Sequence, residues 1–315
     1  MQSTLLTLAA TQASRASTFA PHAAKAPIRA AVLEGWRQRN AFLDGVFYDV
    51  SCVSTAEAKA IAPWLAAEGA ILVVPPTGGG DLILCPTIAD YTAIHGPHVR
   101  ALAVAGVGSS ALGAAAFARN VADATGWHVA AVVSGYGMAD LLTEAVGGFF
   151  WFGALNGIRH AFEPIDLLTE ANHKAEAALA MTDASVPAPV RESRDTRTVT
   201  ALLSDAAFRF DLLTGHSKGN LVLSEALYEM QHSDRARLRV LAEQSRIVTI
   251  SARVAMPHEF RDVIDIMGAL DWFGGLNSRP SIPADILVPF AWHHTNTQLP
   301  ASLNVTQALR SAMTG

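Results

Sequence analysis

The chain has 315 residues, 50% hydrophobic and 16% charged, with a mean hydropathy of +0.26, so it can bury a large core and is neither disordered nor of low complexity. A net charge of −5, a pI of about 6.1 and the lack of any long basic run argue against nucleic acid as a partner. Cys52 and Cys85 are too few and too isolated for a metal site or a disulfide framework and read as buried thiols.

The first residues, Met1 to Ala10, hold a short apolar patch with no basic residue ahead of it; Arg15 and Lys25 come after it. This pattern does not match a secretory leader and predicts a cytoplasmic protein. No window of about 18 apolar residues is free of charge, so no transmembrane helix is expected. The nearest run, Ala145 to Leu155, is too short.

Residues 1–45 read as an Ala/Ser/Thr-rich arm followed by a helix over Pro27–Phe42, the proline being tolerated at the first helical position. Phe47–Val53 reads as a strand. Ser54-Thr55-Ala56-Glu57 is a capping box that opens a helix running to Gly69. Ile71–Val74 and Asp81–Cys85 flank a Pro/Gly-rich turn and read as a β-hairpin; no Gly-Lys-Ser/Thr follows the triple glycine, so it is not a phosphate loop.

Val99–Ala105 is a mostly apolar run, as expected of a strand covered on both faces. After Gly106-Val107-Gly108, Ser109 or Ser110 caps a helix over Ala111–Thr125 that Gly126 ends. Val129–Val133 is the next buried strand. The recurrence of strand, helix and strand predicts a parallel sheet with crossover helices. Residues 135–195 are longer than one crossover needs and predict an inserted cap or lid, with an aromatic cluster that includes Phe149 and Trp151. Trp151–Asn156 resembles Trp272–Asn277, too short a likeness for a repeat architecture.

Helix returns over Arg197–Ala206. Phe210–Thr214 is a short apolar run that enters Gly215-His216-Ser217-Lys218-Gly219, and an amphipathic run from Asn220 to about Gln231 leaves it. Gly-x-Ser-x-Gly between strand and helix places a serine on a sharp, strained turn with its hydroxyl exposed. Glycine flanks it because a Cβ there would strike the neighbouring strand or helix. The amide after the serine lies at a helix N-terminus, where N–H groups can meet a developing oxyanion. A helix over Arg235–Gln244 and strands over Arg246–Ser251, Val263–Leu270 and Ile286–Pro289 follow, then a helix over Ala301–Met313. No domain-sized break interrupts residues 46–315.

A serine hydroxyl needs a base within hydrogen-bond reach, and the base needs an orienting acid. Parallel-sheet enzymes place such groups at the carboxyl ends of strands. Asp271 and the pair His293-His294 each follow a strand, in the order Ser, Asp, His. Asp265 lies mid-strand and Asp285 precedes its strand, which makes them weaker candidates for the acid. Neighbours in an extended segment point opposite ways, so only one of His293 and His294 can serve as base. His216 is expected to pack away from the serine. His128, His160 and His258 lack metal-ligand spacing and read as structural.

With the hairpin near 71–85, the buried strand ending in Ala105-Gly106-Val107-Gly108-Ser109, the Gly-His-Ser-Lys-Gly turn and the ordered acid and histidine, residues 70–315 resemble the α/β-hydrolase superfamily. Alanine stands where many members have histidine before Gly-x-Gly. Val288-Pro289-Phe290-Ala291-Trp292-His293 lines up with the family's Val-Pro-x-Ala-Gly-His segment, with tryptophan in place of glycine, and favours His293 over His294.

The resemblance implies an α/β-hydrolase fold, a lipase- or esterase-like serine hydrolase of small or polymeric esters, and no cofactor or metal. It assigns Ser217 as nucleophile, His293 as base, Asp271 as acid and the Val107 and Lys218 amides as oxyanion hole. The cluster Phe149-Phe150-Trp151-Phe152, with Trp272, Phe273 and Trp292, is expected to wall an apolar acyl pocket. Two alternatives carry the same residues: an acyltransferase or polyester depolymerase with the triad, and a non-catalytic binding protein of this fold.

Overall fold

The computed structural model describes residues 44–61, 68–94, 99–106, 109–134 and 194–314. The helix expected over Pro27–Phe42, almost all of the expected cap, His160 and the Trp151–Asn156 likeness lie outside the described residues.

Eight strands form one sheet: β1 (Ile71–Val74), β2 (Ile83–Cys85), β3 (Val99–Val104), β4 (His128–Val132), β5 (Leu212–His216), β6 (Arg246–Ile250), β7 (Val263–Gly268) and β8 (Ile286–Val288), in the order β2-β1-β4-β3-β5-β6-β7-β8. β1 runs antiparallel to both β2 and β4, and β4, β3, β5, β6, β7 and β8 pair in parallel. The protein is therefore α/β, with a mostly parallel sheet flanked by helices.

Among the described residues the helices are α1 (Thr55–Ile61), α2 (Ile88–Ile94), α3 (Ala111–Thr125), α4 (Arg194–Ser204), α5 (Lys218–Ser233), α6 (Arg235–Gln244), α7 (Trp272–Leu276) and α8 (Val305–Thr314), besides the helical turn at Asp44–Phe47. Alternation along the strands divides the core in two. Leu72, Val74, Ala101 and Ala103 face a cluster that contains α3 and α8 residues such as Phe117 and Leu309. Ile71, Val73, Leu102 and Val104 face the cluster built from α4, α5 and α6 residues such as Leu202, Leu223 and Leu238. Burial on both faces is why these strands read as unbroken apolar runs rather than alternating ones.

Local chemistry sets most helix ends. Ser54 and Glu57 close their capping box, with Ser54 N–H on Glu57 Oε2 at 2.9 Å and Glu57 N–H on Ser54 Oγ at 3.2 Å. Ser110 Oγ accepts from Leu112 N at the start of α3, and Gly126 ends it in the left-handed conformation at φ 74°. The last helix begins at Val305 rather than Ala301, because Ala301 sits at φ 61° and Asn304 Oδ1 takes the Gln307 N–H.

Phe47–Val53 is not a strand. Asp44–Phe47 is a helical turn and Val50–Cys52 a 3₁₀ turn capped by Asp49. Its backbone groups pair locally, Tyr48 N–H with Asp44 O at 2.8 Å and Cys52 N–H with Asp49 O at 3.2 Å, and the Asp49 carboxylate takes the Ser51 N–H. Such an aspartate competes with ladder pairing and overrides the β-preference of the valines and aromatics around it. Asp44 and Gly45, at the end of the expected arm, are buried in the core.

Candidate active site

β3 has β4 on one side and β5 on the other, so strand order reverses there, the kind of point at which open α/β sheets bind ligands beside the carboxyl ends of their strands. Gly106 follows β3 and Ser217 follows β5. Asp271 and His293 follow β7 and β8 on the same edge of the sheet.

Ser217 sits at φ 52° and ψ −118°, between β5 and α5. A non-glycine residue in this region is strained and persists only where its surroundings over-determine it. The flanking glycines show how. A Cβ on Gly219 would lie 2.0 Å from Val104 O of β3, and one on Gly215 would lie 2.5 Å from Asn220 Oδ1. Helix α5 thus packs so closely on β3 and on its own entry turn that neither position has room for a side chain. Asn220 Nδ2 ties the turn to Ile250 O and Ala252 O at 3.0 Å each.

Ser217 Oγ lies 3.0 Å from His293 Nε2, and His293 Nδ1 lies 3.0 Å from both oxygens of Asp271. Serine, histidine and aspartate are 8%, 2% and 5% exposed, so water competes little for these bonds. The carboxylate of Asp271 accepts at Nδ1, which places the imidazole proton there and leaves the Nε2 lone pair for the serine hydroxyl. Asp271 also caps α7, its Oδ1 taking the Gly274 N–H at 2.6 Å. Cap and imidazole partner are one residue: the cap holds the carboxylate's orientation while the imidazole uses it.

His294 points elsewhere, its Nε2 donating to Pro300 O at 2.9 Å. His216 is buried, with Nδ1 3.0 Å from Tyr48 Oη and Nε2 2.9 Å from His293 O. Val107, Phe149 and Trp151 lie outside the described residues. Lys218 opens α5, where first-turn N–H groups point out of the helix end beside Ser217. Trp272 is 59% exposed, and Trp292 stacks edge-on against His294 at 5.8 Å between centroids. The ring in edge contact with the His293 imidazole is Phe273, at 4.6 Å, and Phe47 meets it at 6.0 Å.

Asp265 and Asp285 engage each other rather than His293. Asp265 accepts from Thr249 Oγ1, and its N–H donates to Asp285 Oδ2 at 2.8 Å. Burial, reinforced by the nearby Asp285 charge and opposed by Thr249, pushes the Asp265 carboxyl from 3.8 up to about 6. The unfolded chain therefore ionises Asp265 before the folded one does. Its contribution to stability is full below the ordinary carboxylate value and is lost as pH rises through about 6. Asp265→Asn is expected to reduce the loss of unfolding free energy between pH ~4 and ~7 by on the order of 2 kcal/mol. Urea unfolding at the two pH values measures it, and an unaltered slope contradicts it.

Phe47 and Phe273 flank the His293 imidazole, Gly274 bonds Asp271 and Tyr48 bonds His216; of these the sequence singles out only Phe273, as a pocket wall rather than as a ring on the imidazole. Phe273 and Gly274 adjoin Asp271, so a search of that residue's neighbours finds them. Nothing local signals Tyr48, which is 168 residues from His216. Among the described residues no group of His, Cys, Asp or Glu is arranged to hold a metal ion, and no helix is long and apolar enough to cross a membrane. No family model, curated protein or solved structure matches the chain.

Proposed function

We propose that the protein is a serine hydrolase of carboxylic esters with an α/β-hydrolase fold. One observation carries the reading: a serine on a strained strand-to-helix turn, with Oγ 3.0 Å from an imidazole that is itself oriented by a buried aspartate. Ser217 Oγ attacks the ester carbonyl as its proton passes to His293 Nε2. The alkoxide of the tetrahedral intermediate is met by the Lys218 amide at the start of α5. His293 then returns the proton to the departing alcohol, leaving an acyl-serine. Water, deprotonated by His293, attacks that ester and releases the acid and free Ser217. Asp271 stabilises the imidazolium in both halves.

A fluorophosphonate probe tests the assignment without knowledge of the substrate. Ser217 Oγ displaces fluoride from phosphorus, and the expected result is one covalent adduct, mapped to Ser217 by peptide mass spectrometry and lost in His293→Ala. Absence of an adduct on folded protein overturns the reading and favours a binding protein.

A further inference from the structure

Segment 44–49 makes a set of contacts that the triad does not explain. Gly106 N–H donates to Tyr48 Oη at 2.6 Å. Tyr48 Oη is 3.0 Å from His216 Nδ1, and His216 Nε2 is 2.9 Å from His293 O. With a neutral His216 ring these bonds have one consistent proton arrangement. A carbonyl only accepts, so His216 Nε2 carries the hydrogen. A neutral imidazole then has its lone pair at Nδ1. Tyr48 accepts from Gly106 and donates its own proton to that lone pair.

The chain of donors therefore runs one way, Gly106 N–H to Tyr48 O–H to His216 to the His293 carbonyl. Tyr48 and His216 are both buried, as is Phe117, whose ring packs on each of them. Burial, with the facing His293 imidazole, pushes His216 down to about 3 against the weaker opposing influences of its hydrogen bond to the His293 carbonyl and of Asp271. Burial also holds the Tyr48 phenol well above its ordinary value. Both groups are thus in the protonation states the chain requires.

This chain links three places on which the proposed chemistry depends: the turn after β3, the end of β5 just before Ser217, and the backbone of His293. Neighbouring contacts bind two of them, the turn after β3 and the stretch after His293, to the same segment. Thr295 N–H and Oγ1 donate to Phe47 O at 2.7 and 2.9 Å, Asn296 Nδ2 to Gly45 O at 2.7 Å, and Ser110 N–H to Asp44 Oδ1 at 3.1 Å. Space around Gly106 is so tight that an added Cβ would stand 3.0 Å from His216 O and 3.1 Å from Tyr48 Oη.

We propose that Tyr48 and His216 are positioning residues that, through the Gly106–Tyr48–His216–His293 hydrogen-bond chain, hold the turn after β3, the nucleophile turn and the catalytic histidine in mutual register. The proposal rests on the reading of Ser217 as nucleophile and His293 as base. Loss of a single bond in such a chain leaves the site intact but displaces reacting groups, so turnover falls while ground-state binding does not.

Tyr48→Phe is nearly isosteric and is expected to lower kcat on a p-nitrophenyl ester about 10- to 100-fold, with KM within about twofold. His216→Gln keeps an acceptor toward Tyr48 and a donor toward His293, and is expected to recover most of what His216→Phe loses. A Tyr48→Phe kcat equal to wild type, or equal losses in Gln and Phe variants that stay folded, overturns the proposal. Nitrogen-15 NMR of the wild-type His216 side chain is the arm that does not depend on turnover. It should report a neutral ring with the proton on Nε2 at neutral pH, and a proton on Nδ1 overturns the proposal even if every variant misfolds. Failure of the hydrolase reading is separately visible, as a wild-type protein with this tautomer whose Ser217 takes no fluorophosphonate.

Discussion

Ser217→Ala is expected to lower turnover of a short p-nitrophenyl ester by about 10⁴- to 10⁶-fold, while the melting temperature stays within about 3 °C of wild type. The change removes one oxygen atom from a residue that is 8% exposed, and among the described residues that oxygen bonds His293 Nε2. The strained backbone at φ 52° is held by Gly215, Gly219 and the Asn220 bonds, none of which involves the hydroxyl. Alanine tolerates that backbone as serine does. Activity and fold therefore separate, and an ester panel of varied acyl length run on both proteins removes background hydrolysis from the comparison. Undiminished turnover in the variant would place the reaction elsewhere.

Asp271→Asn should cost about 10³- to 10⁴-fold in kcat for a different reason. Gly274 N–H donates to Asp271 Oδ1 at 2.6 Å, and this backbone donor keeps the carbonyl oxygen of an asparagine on its own side. The amide nitrogen then takes the Oδ2 position, 3.0 Å from His293 Nδ1, while Oδ1, at the same distance, is already engaged by the Gly274 N–H. An N–H donor there takes the Nδ1 lone pair, so the imidazole proton moves to Nε2 and points at Ser217. The base is present, at the same distance, in the wrong tautomer. On the proposed mechanism serine and histidine act as a unit, so Ser217→Ala combined with Asp271→Asn should fall no further than Ser217→Ala alone. A kcat within about tenfold of wild type for Asp271→Asn would show that the aspartate only caps α7.

How much of this was legible in the sequence depends on the range of the interaction that decides each residue's place. The hairpin at 71–85, helix α3 with Ser110 and Gly126 at its ends, and the parallel strands are decided by neighbours a few residues apart, and each was readable. The composition of Phe47–Val53 favours a strand, yet the deciding contacts are an aspartate on its own backbone and the burial of Tyr48 against Phe117. Trp272 and Trp292 drew attention by size, yet one is largely exposed and the other packs on His294; the smaller Phe273 is the ring on the imidazole.

By itself the sequence determined that an apolar, mildly acidic chain would wind an α/β sheet covered on both faces, and that a serine would stand between two glycines at a strand-to-helix turn. It also put an aspartate and two histidines after later strands, because strand ends and turns announce themselves through local periodicity and steric need. The tertiary structure set His293, which the family resemblance favours, rather than His294 against Ser217, and it alone decided that Asp271 serves cap and imidazole at once and that Asp265 turns to Thr249 while Asp285 takes its N–H. It alone brought Tyr48 to His216. Hydrogen-bond partners more than a hundred residues apart in the chain meet only when the sheet is assembled, and no local preference encodes which of two adjacent side chains will be facing inward when it is.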